Sequence, residues 1–218
     1  LSDDEETPPP ENKLIRRAYS IASSSLARQY LEFYVVMVKT GALTPRLFAL
    51  QPGDKVWLAP KIAGMMTLDE LPDDKNVVMM STGTGLAPYM SMLRTHITDG
   101  KWGRVAILHG ARQSYDLGYS DELEMMDRLH DNVIYVPTIS RPQNEAAPWE
   151  GINGYVQNVW KSGVVGERWG FEPTPENTHI YLCGNPGMID AVMEVLTEQG
   201  YVEHTRKTPG QVHVERYW

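Results

Sequence analysis

The sequence predicts a β plus α/β protein: an antiparallel β portion over residues 1–71, then a parallel sheet wrapped by helices over residues 72–218. Three observations carry this. Leu31, Phe33, Val35 and Met37 alternate with Glu32, Tyr34 and Val36, the period-two pattern of a strand. From Asn76 onward, short apolar runs alternate with helical stretches, the rhythm of a parallel sheet covered on both faces. In that second part the loops richest in glycine, arginine and cysteine follow the strands.

Taken in order, residues 1–13 are acidic and proline-rich without periodicity, and read as a loop or tail. Leu14–Ser20 and Tyr30–Val38 read as strands. Gly41 and Pro45 punctuate a loop, Pro52-Gly53-Asp54 is a turn, and Lys55–Leu58 is a further short strand. Asn76–Ser81 is an apolar strand running into a glycine loop, and Pro88–Ile97 is a helix. Arg104–His109 and Val133–Ile139 read as strands flanking a helix at Ser120–His130. Tyr155–Ser162 is helical, His179–Cys183 is a strand, and Pro186–Gln199 is a helix stopped by Gly200. Right-handed crossovers then set the glycine loop, Arg112, Arg141 and Cys183 along one sheet edge.

Composition narrows the function. The 218 residues suffice for two modest domains, and 42% hydrophobic with 22% charged residues fits a globular core. A net charge of −8 argues against a general nucleic-acid binder. There is no apolar run near the ~18 residues of a membrane span. The start, with Asp3-Asp4-Glu5-Glu6, is unlike a secretory signal, and a cytoplasmic enzyme is the simplest reading. One cysteine allows no internal disulfide and no all-cysteine iron–sulfur cluster in this chain. The six histidines show no zinc spacing, so no metal site is expected.

Four strings carry chemistry. Arg17-Ala18-Tyr19-Ser20 ends a strand, with Arg17 and Tyr19 on one face and Ser20 on the other. An arginine suits a diphosphate and a tyrosine ring suits a flat aromatic ligand, although such a string also occurs in ordinary surface strands. Thr82-Gly83-Thr84-Gly85-Leu86-Ala87-Pro88 joins a strand to a helix, where glycines admit a phosphate close to the helix N-terminus. It lacks the Gly-Lys-Ser/Thr of a Walker loop and the third glycine of the dinucleotide fingerprint, so alone it reads equally as a packing turn. Cys183-Gly184-Asn185-Pro186 turns a strand into a helix, with Asn185 placed to cap it and Pro186 at its first position. A single cysteine there is most simply a small buried apolar group. The last residues are Glu215-Arg216-Tyr217-Trp218, an aromatic end that could merely anchor the tail.

In this order the four strings resemble the ferredoxin–NADP(+) reductase family, bacterial type, from about Arg16 to Trp218. The resemblance implies an FAD-binding β-barrel over residues 1–71 and a Rossmann-like NADP(H)-binding domain over residues 72–218. Only 16 residues precede Arg17, whereas the family carries several barrel strands there, so a preceding segment is expected. The resemblance implies that Arg17 holds the FAD pyrophosphate, Tyr19 stacks on the flavin and the Ser20 hydroxyl lies near flavin N5. Gly41, Leu43 and Thr44 match a glycine-led turn that cradles the diphosphate. Gly83, Thr84 and Gly85 form the pyridine-nucleotide loop. Arg112 and Arg141 would meet the adenosine 2′-phosphate, and Tyr155 the adenine. Cys183 would shape the nicotinamide pocket, and Glu215 would position nicotinamide or relay a proton. Tyr217 would cover the second flavin face and Trp218 would reach the FAD adenine.

The activity so implied is electron transfer between NADPH and a one-electron carrier, ferredoxin or flavodoxin. Such carriers are acidic, so a local basic face is expected, with Arg16, Arg46, Arg206 and Lys207 as candidates. Two alternatives stay open at this point. One is an NADH-dependent flavin reductase or oxygenase reductase component on the same plan. The other is a nucleotide-sensing or electron-transfer subunit without turnover, against which Cys183, Glu215 and Tyr217 argue.

Overall fold

The computed structural model describes residues 14–64 and 66–216. Six parallel strands form one sheet: β1 (Asn76–Thr82), β2 (Val105–Ala111), β3 (Val133–Ile139), β4 (Ile152–Asn153), β5 (Thr178–Cys183) and β6 (Val212–Glu215). Their spatial order is β4-β3-β2-β1-β5-β6. The chain steps outward from β1 to β4, then returns to lay β5 on the other side of β1. The reversal of direction lies between β1 and β5, where a parallel sheet opens a crevice beyond its strand ends.

Helices cover both faces. After a short α1 (Thr44–Phe48) come α2 (Ala87–His96), α3 (Ser120–Leu129), α4 (Val156–Lys161), α5 (Val164–Trp169) and α6 (Pro186–Glu198). Strand alternation divides the core in two. Val78, Met80, Ala106, Leu108, Ile180 and Leu182 face Val159, Trp169, Ile189 and Val192 on α4, α5 and α6. Val77, Met79, Val105, Ile107 and Tyr181 face Tyr89, Met90, Leu93 and Leu123 on α2 and α3. β1 and β5 are buried along nearly their whole length because they are central strands covered twice. Each fully buried Leu, Ile or Met contributes about 1.5–3 kcal/mol.

The predicted parallel half stands, with ends moved by a residue or so. Tyr155 precedes α4 as its N-cap residue. Asn185 caps α6 as expected, its Oδ1 accepting from Gly187 N at 2.9 Å, with Pro186 opening the helix. β4, α5 and β6 were not predicted.

The first portion requires a correction. The strands expected at Leu14–Ser20, Tyr30–Val38 and Lys55–Leu58 do not form ladders among the described residues. One antiparallel bridge, Ile21 with Phe33, is the pairing there, supported by Ala22 N donating to Glu32 O at 2.8 Å. No antiparallel barrel is therefore formed among the described residues. A strand is stabilised by its neighbours, and these segments meet too few. Their apolar side chains remain open to solvent: Leu31, Val36, Val38, Val56, Trp57 and Leu58 are all exposed.

Candidate functional site at the carboxyl edge of the sheet

β1 ends at Thr82 and the chain tightens into a 3-10 turn, Gly83–Leu86, before α2 begins. Gly83 has φ +53°, and a side chain built there would meet nothing within 4 Å, so the turn faces open space. Gly85 does the opposite work. A Cβ there would lie 2.2 Å from the Cys183 carbonyl oxygen, so only glycine lets this turn seat against the end of β5. Gly184, at φ +141°, is equally constrained by Thr82 Oγ1. Asn185 N donates to that Thr82 hydroxyl at 2.9 Å. Loops 82–86 and 183–187 thus lock together across the crevice.

The register then aligns side chains. Ser81 pairs with His109 on one side and Cys183 on the other, and Cys183 pairs with Glu215. In-register neighbours of a parallel sheet share a face, so His109, Ser81, Cys183 and Glu215 form a row across four strands. Cys183 is fully buried. The Glu215 carboxylate also comes within 4.0 Å of where a Gly64 Cβ would stand, bringing the first portion against this row. His109 is buried, and its Nδ1 lies 3.2 Å from the Tyr135 hydroxyl. Burial pushes its pKa down to about 4, against the opposing pull of the Gly83 backbone, so the ring under the glycine turn is neutral. The sequence singles out neither Ser81 nor His109, and gives Thr82 no role beyond opening the glycine string; polar residues closing an apolar strand are the available signal.

On the far side, Ser140 N donates to Ala111 O at 3.0 Å and Arg141 N to Arg112 O at 2.9 Å. These bonds bring the two arginines together beyond β2 and β3. Gly154 N donates to Ile139 O at 2.8 Å and Thr138 Oγ1 to Gly154 O at 3.0 Å, placing exposed Tyr155 next to them. Arg112 and Arg141 are exposed as well. Along the edge the order is Tyr155, Arg141, Arg112, glycine turn, Cys183, Glu215. At the usual ~4.8 Å strand spacing this tract runs about 24 Å.

In the first portion, Arg17 Nη1 donates to Arg16 O at 3.0 Å. Burial raises the Tyr19 pKa, and the Arg17 charge works against that rise. Ser20 is half-buried. Thr44 closes its own loop: its hydroxyl donates to Val38 O at 2.9 Å and accepts from Val38 N at 3.0 Å. Gly41 N donates to the same carbonyl, and Leu43 precedes α1 as its N-cap residue. Tyr217 and Trp218 lie outside the described residues.

This geometry has known counterparts. The Oxidoreductase NAD-binding domain family matches residues 79–194. The flavodoxin/ferredoxin–NADP reductase of Shigella flexneri is 32% identical over 209 residues, 95% of this chain and 83% of that protein. The chain belongs to the ferredoxin–NADP reductase family. A second reductase of this family, from Buchnera aphidicola subsp. Baizongia pistaciae, is 31% identical over 94% of the chain and 82% of its own length. Among solved structures, a ferredoxin NADP+ reductase from Neisseria gonorrhoeae with bound FAD and NADP superposes with a TM-score of 0.82 at 28% identity, over 93% of this chain and 80% of that one. The edge suits such a dinucleotide: an open glycine turn for a diphosphate, two adjacent arginines for a further phosphate, and an exposed ring for a base. Among the described residues no helix of this reductase-family chain is long and apolar enough to cross a membrane.

Proposed function

We propose that the protein is a flavin-dependent oxidoreductase that moves electrons between NADPH and ferredoxin or flavodoxin. The observation that carries this is the single tract of loops along the sheet edge, ordered as a dinucleotide phosphate would need them. Arg141 and Arg112 bind the 2′-phosphate, and Tyr155 supports the adenine. Gly83, Thr84 and Gly85 let the pyrophosphate approach backbone N–H groups at the start of α2. Cys183 and Glu215 border the nicotinamide at the far end. Two arginines at the ribose end favour NADP(H) over NAD(H).

Arg17 would hold the FAD diphosphate together with the Gly41–Thr44 turn, Tyr19 would pack on the isoalloxazine, and Ser20 would bond near its N5. When bound, the flavin supplies the conversion between hydride transfer and one-electron transfer. The chain's own groups bind, orient and exclude water. Buried Cys183 removes solvent from one side of the nicotinamide, Glu215 holds or moves a proton there, and neutral His109 supports the glycine turn without adding charge. Tyr217 would cover the flavin until nicotinamide displaces it, and Trp218 would reach the adenine.

Steady-state reduction of ferredoxin and of flavodoxin, driven in turn by NADPH and NADH, tests the proposal. Turnover with NADPH and either carrier supports it. Turnover with NADH alone favours the oxygenase-reductase alternative, and none with either nucleotide favours a non-catalytic subunit.

A further inference from the structure

Helix α2 joins the candidate nucleotide site to the first portion of the chain. It grows out of the glycine turn, and two turns along it Arg94 reaches across. Arg94 Nη1 donates to the Ala22 carbonyl at 2.9 Å and to Glu32 Oε1 at 2.8 Å. Its Nε and Nη2 donate to the two oxygens of Glu122 on α3, at 2.7 and 2.6 Å. The guanidinium lies 5.1 Å from the centre of the Tyr119 ring, whose hydroxyl donates to the same Glu32 oxygen at 2.6 Å. Nearby, Ser25 N donates to Thr95 Oγ1 at 3.0 Å, and Tyr34 donates to the Asp116 carbonyl at 3.2 Å while meeting Tyr119 edge-on. Ala22 is fully buried in the core beneath α2 and α3.

Resting on the two-cofactor reading above, we propose that Arg94 is a positioning residue that holds the candidate flavin-binding segment in place relative to the nucleotide loop. Ser20 precedes Ala22 by two residues, a reach of at most about 7 Å. Gly85 lies in the 3-10 turn that runs directly into α2, and α2 carries Arg94 at about 1.5 Å per residue. The two candidate binding segments are thus joined through one helix and its guanidinium, with the Ser25–Thr95 and Tyr34–Asp116 bonds beside it. The Arg94 side chain is only 18% exposed and holds its two carboxylates from different directions. A planar fork fixes direction as well as distance, which a lysine ammonium cannot do. Direction matters because hydride transfer needs near-contact geometry, and a misplacement of about 1 Å costs about 100-fold. A plainer role, in which Arg94 only glues the portions together, would lower stability without separating binding from transfer.

The test uses the full-length protein, Arg94→Lys and Glu32→Gln, each incubated with FAD. Flavin content, NADP+ affinity by difference titration and anaerobic flavin reduction by NADPH are measured. Amide hydrogen exchange is followed without added cofactor. Arg94→Lys is expected to keep flavin content and NADP+ affinity within about twofold while hydride transfer slows about tenfold or more. Exchange is expected to rise in residues 21–34 and 116–122 and to stay unchanged in β1 and the glycine turn. Glu32→Gln, nearly isosteric, is expected to move in the same sense by a smaller factor, and carries the test alone if Arg94→Lys does not fold. Transfer within about twofold of the parent in both variants overturns the proposal, as does a fall in affinity equal to the fall in transfer. A parent protein that takes up no flavin refutes the two-cofactor reading itself, and the positioning role with it, before any variant is compared.

Discussion

Gly85 occupies a position where a single methyl group decides the local structure. Gly85→Ala would push a Cβ into the Cys183 carbonyl, backbone against backbone, so neither side can yield by a rotamer change. The expected cost is about 1–3 kcal/mol in urea unfolding, with nucleotide binding weakened more than that because both crevice loops move. Arg141 offers a change of specificity at little structural cost, since its side chain is exposed. Losing one charge-assisted bond to a phosphate removes about 1.5–3 kcal/mol, so Arg141→Gln should weaken NADPH binding about 10–100-fold and leave NADH nearly unchanged. Equal losses for both nucleotides would remove Arg141 from the 2′-phosphate role. These residues were legible because glycine turns and loop arginines follow strands in the sequence. Arg94 was not: its partners Glu32 and Glu122 lie 62 and 28 residues away, and no local pattern announces such a pairing.

At the scale of the element, β6 is the piece to watch. It was not predicted because it is four residues long at the margin of the sheet, with Val212 and Val214 its period-two signal. Its His213 stacks on Tyr181 at 4.5 Å and on His204 at 4.7 Å, and His179 Nδ1 lies 3.1 Å from His213 Nε2. His204 in turn meets Glu70 at 2.6 Å. Burial, then the charges of His204 and His179, holds the His213 pKa down to about 4. Burial, then Lys75 and His204, lowers His179 as well. A histidine kept neutral when folded but free to protonate near pH 6.5 when unfolded stabilises the fold fully above ~6.5. That contribution falls as pH drops from about 6.5 and is gone below about 4, a loss of up to ~3 kcal/mol for His213. His213→Phe keeps the ring stack and should flatten the loss of stability between about pH 7.5 and pH 4.5. Urea midpoints at the two pH values check this, and an unchanged slope would assign the acid sensitivity to other groups, His109 among them.

Across the whole molecule, charge is unevenly spread along the chain. Residues 14–64 hold seven Lys and Arg against two Asp and Glu, whereas residues 66–216 hold twelve against 21. Residues 14–64 are therefore a local basic stretch on a chain of net charge −8, preceded by an acidic one (five Asp and Glu against one Lys in residues 1–13), and an acidic carrier suits that stretch rather than the first portion as a whole. Its turnover should slow steeply as salt is raised, while reduction of a neutral dye acceptor stays nearly constant. Legibility divides at the same place. The parallel half was readable because its strands are apolar runs buried on two faces, each closed by a turn signal. The antiparallel half was over-read: alternation at Leu31–Met37 marks a strand's side chains but not the neighbours that complete it.

The most direct test of the whole account is anaerobic reduction of the FAD-incubated protein, followed by flavin absorbance, with NADPH and NADH compared at equal concentration. Flavin bands that bleach much faster with NADPH are the expected result. Flavin bands bleached preferentially by NADH would contradict the roles given to Arg112, Arg141 and Tyr155, and a protein that takes up no flavin would contradict the reductase reading altogether.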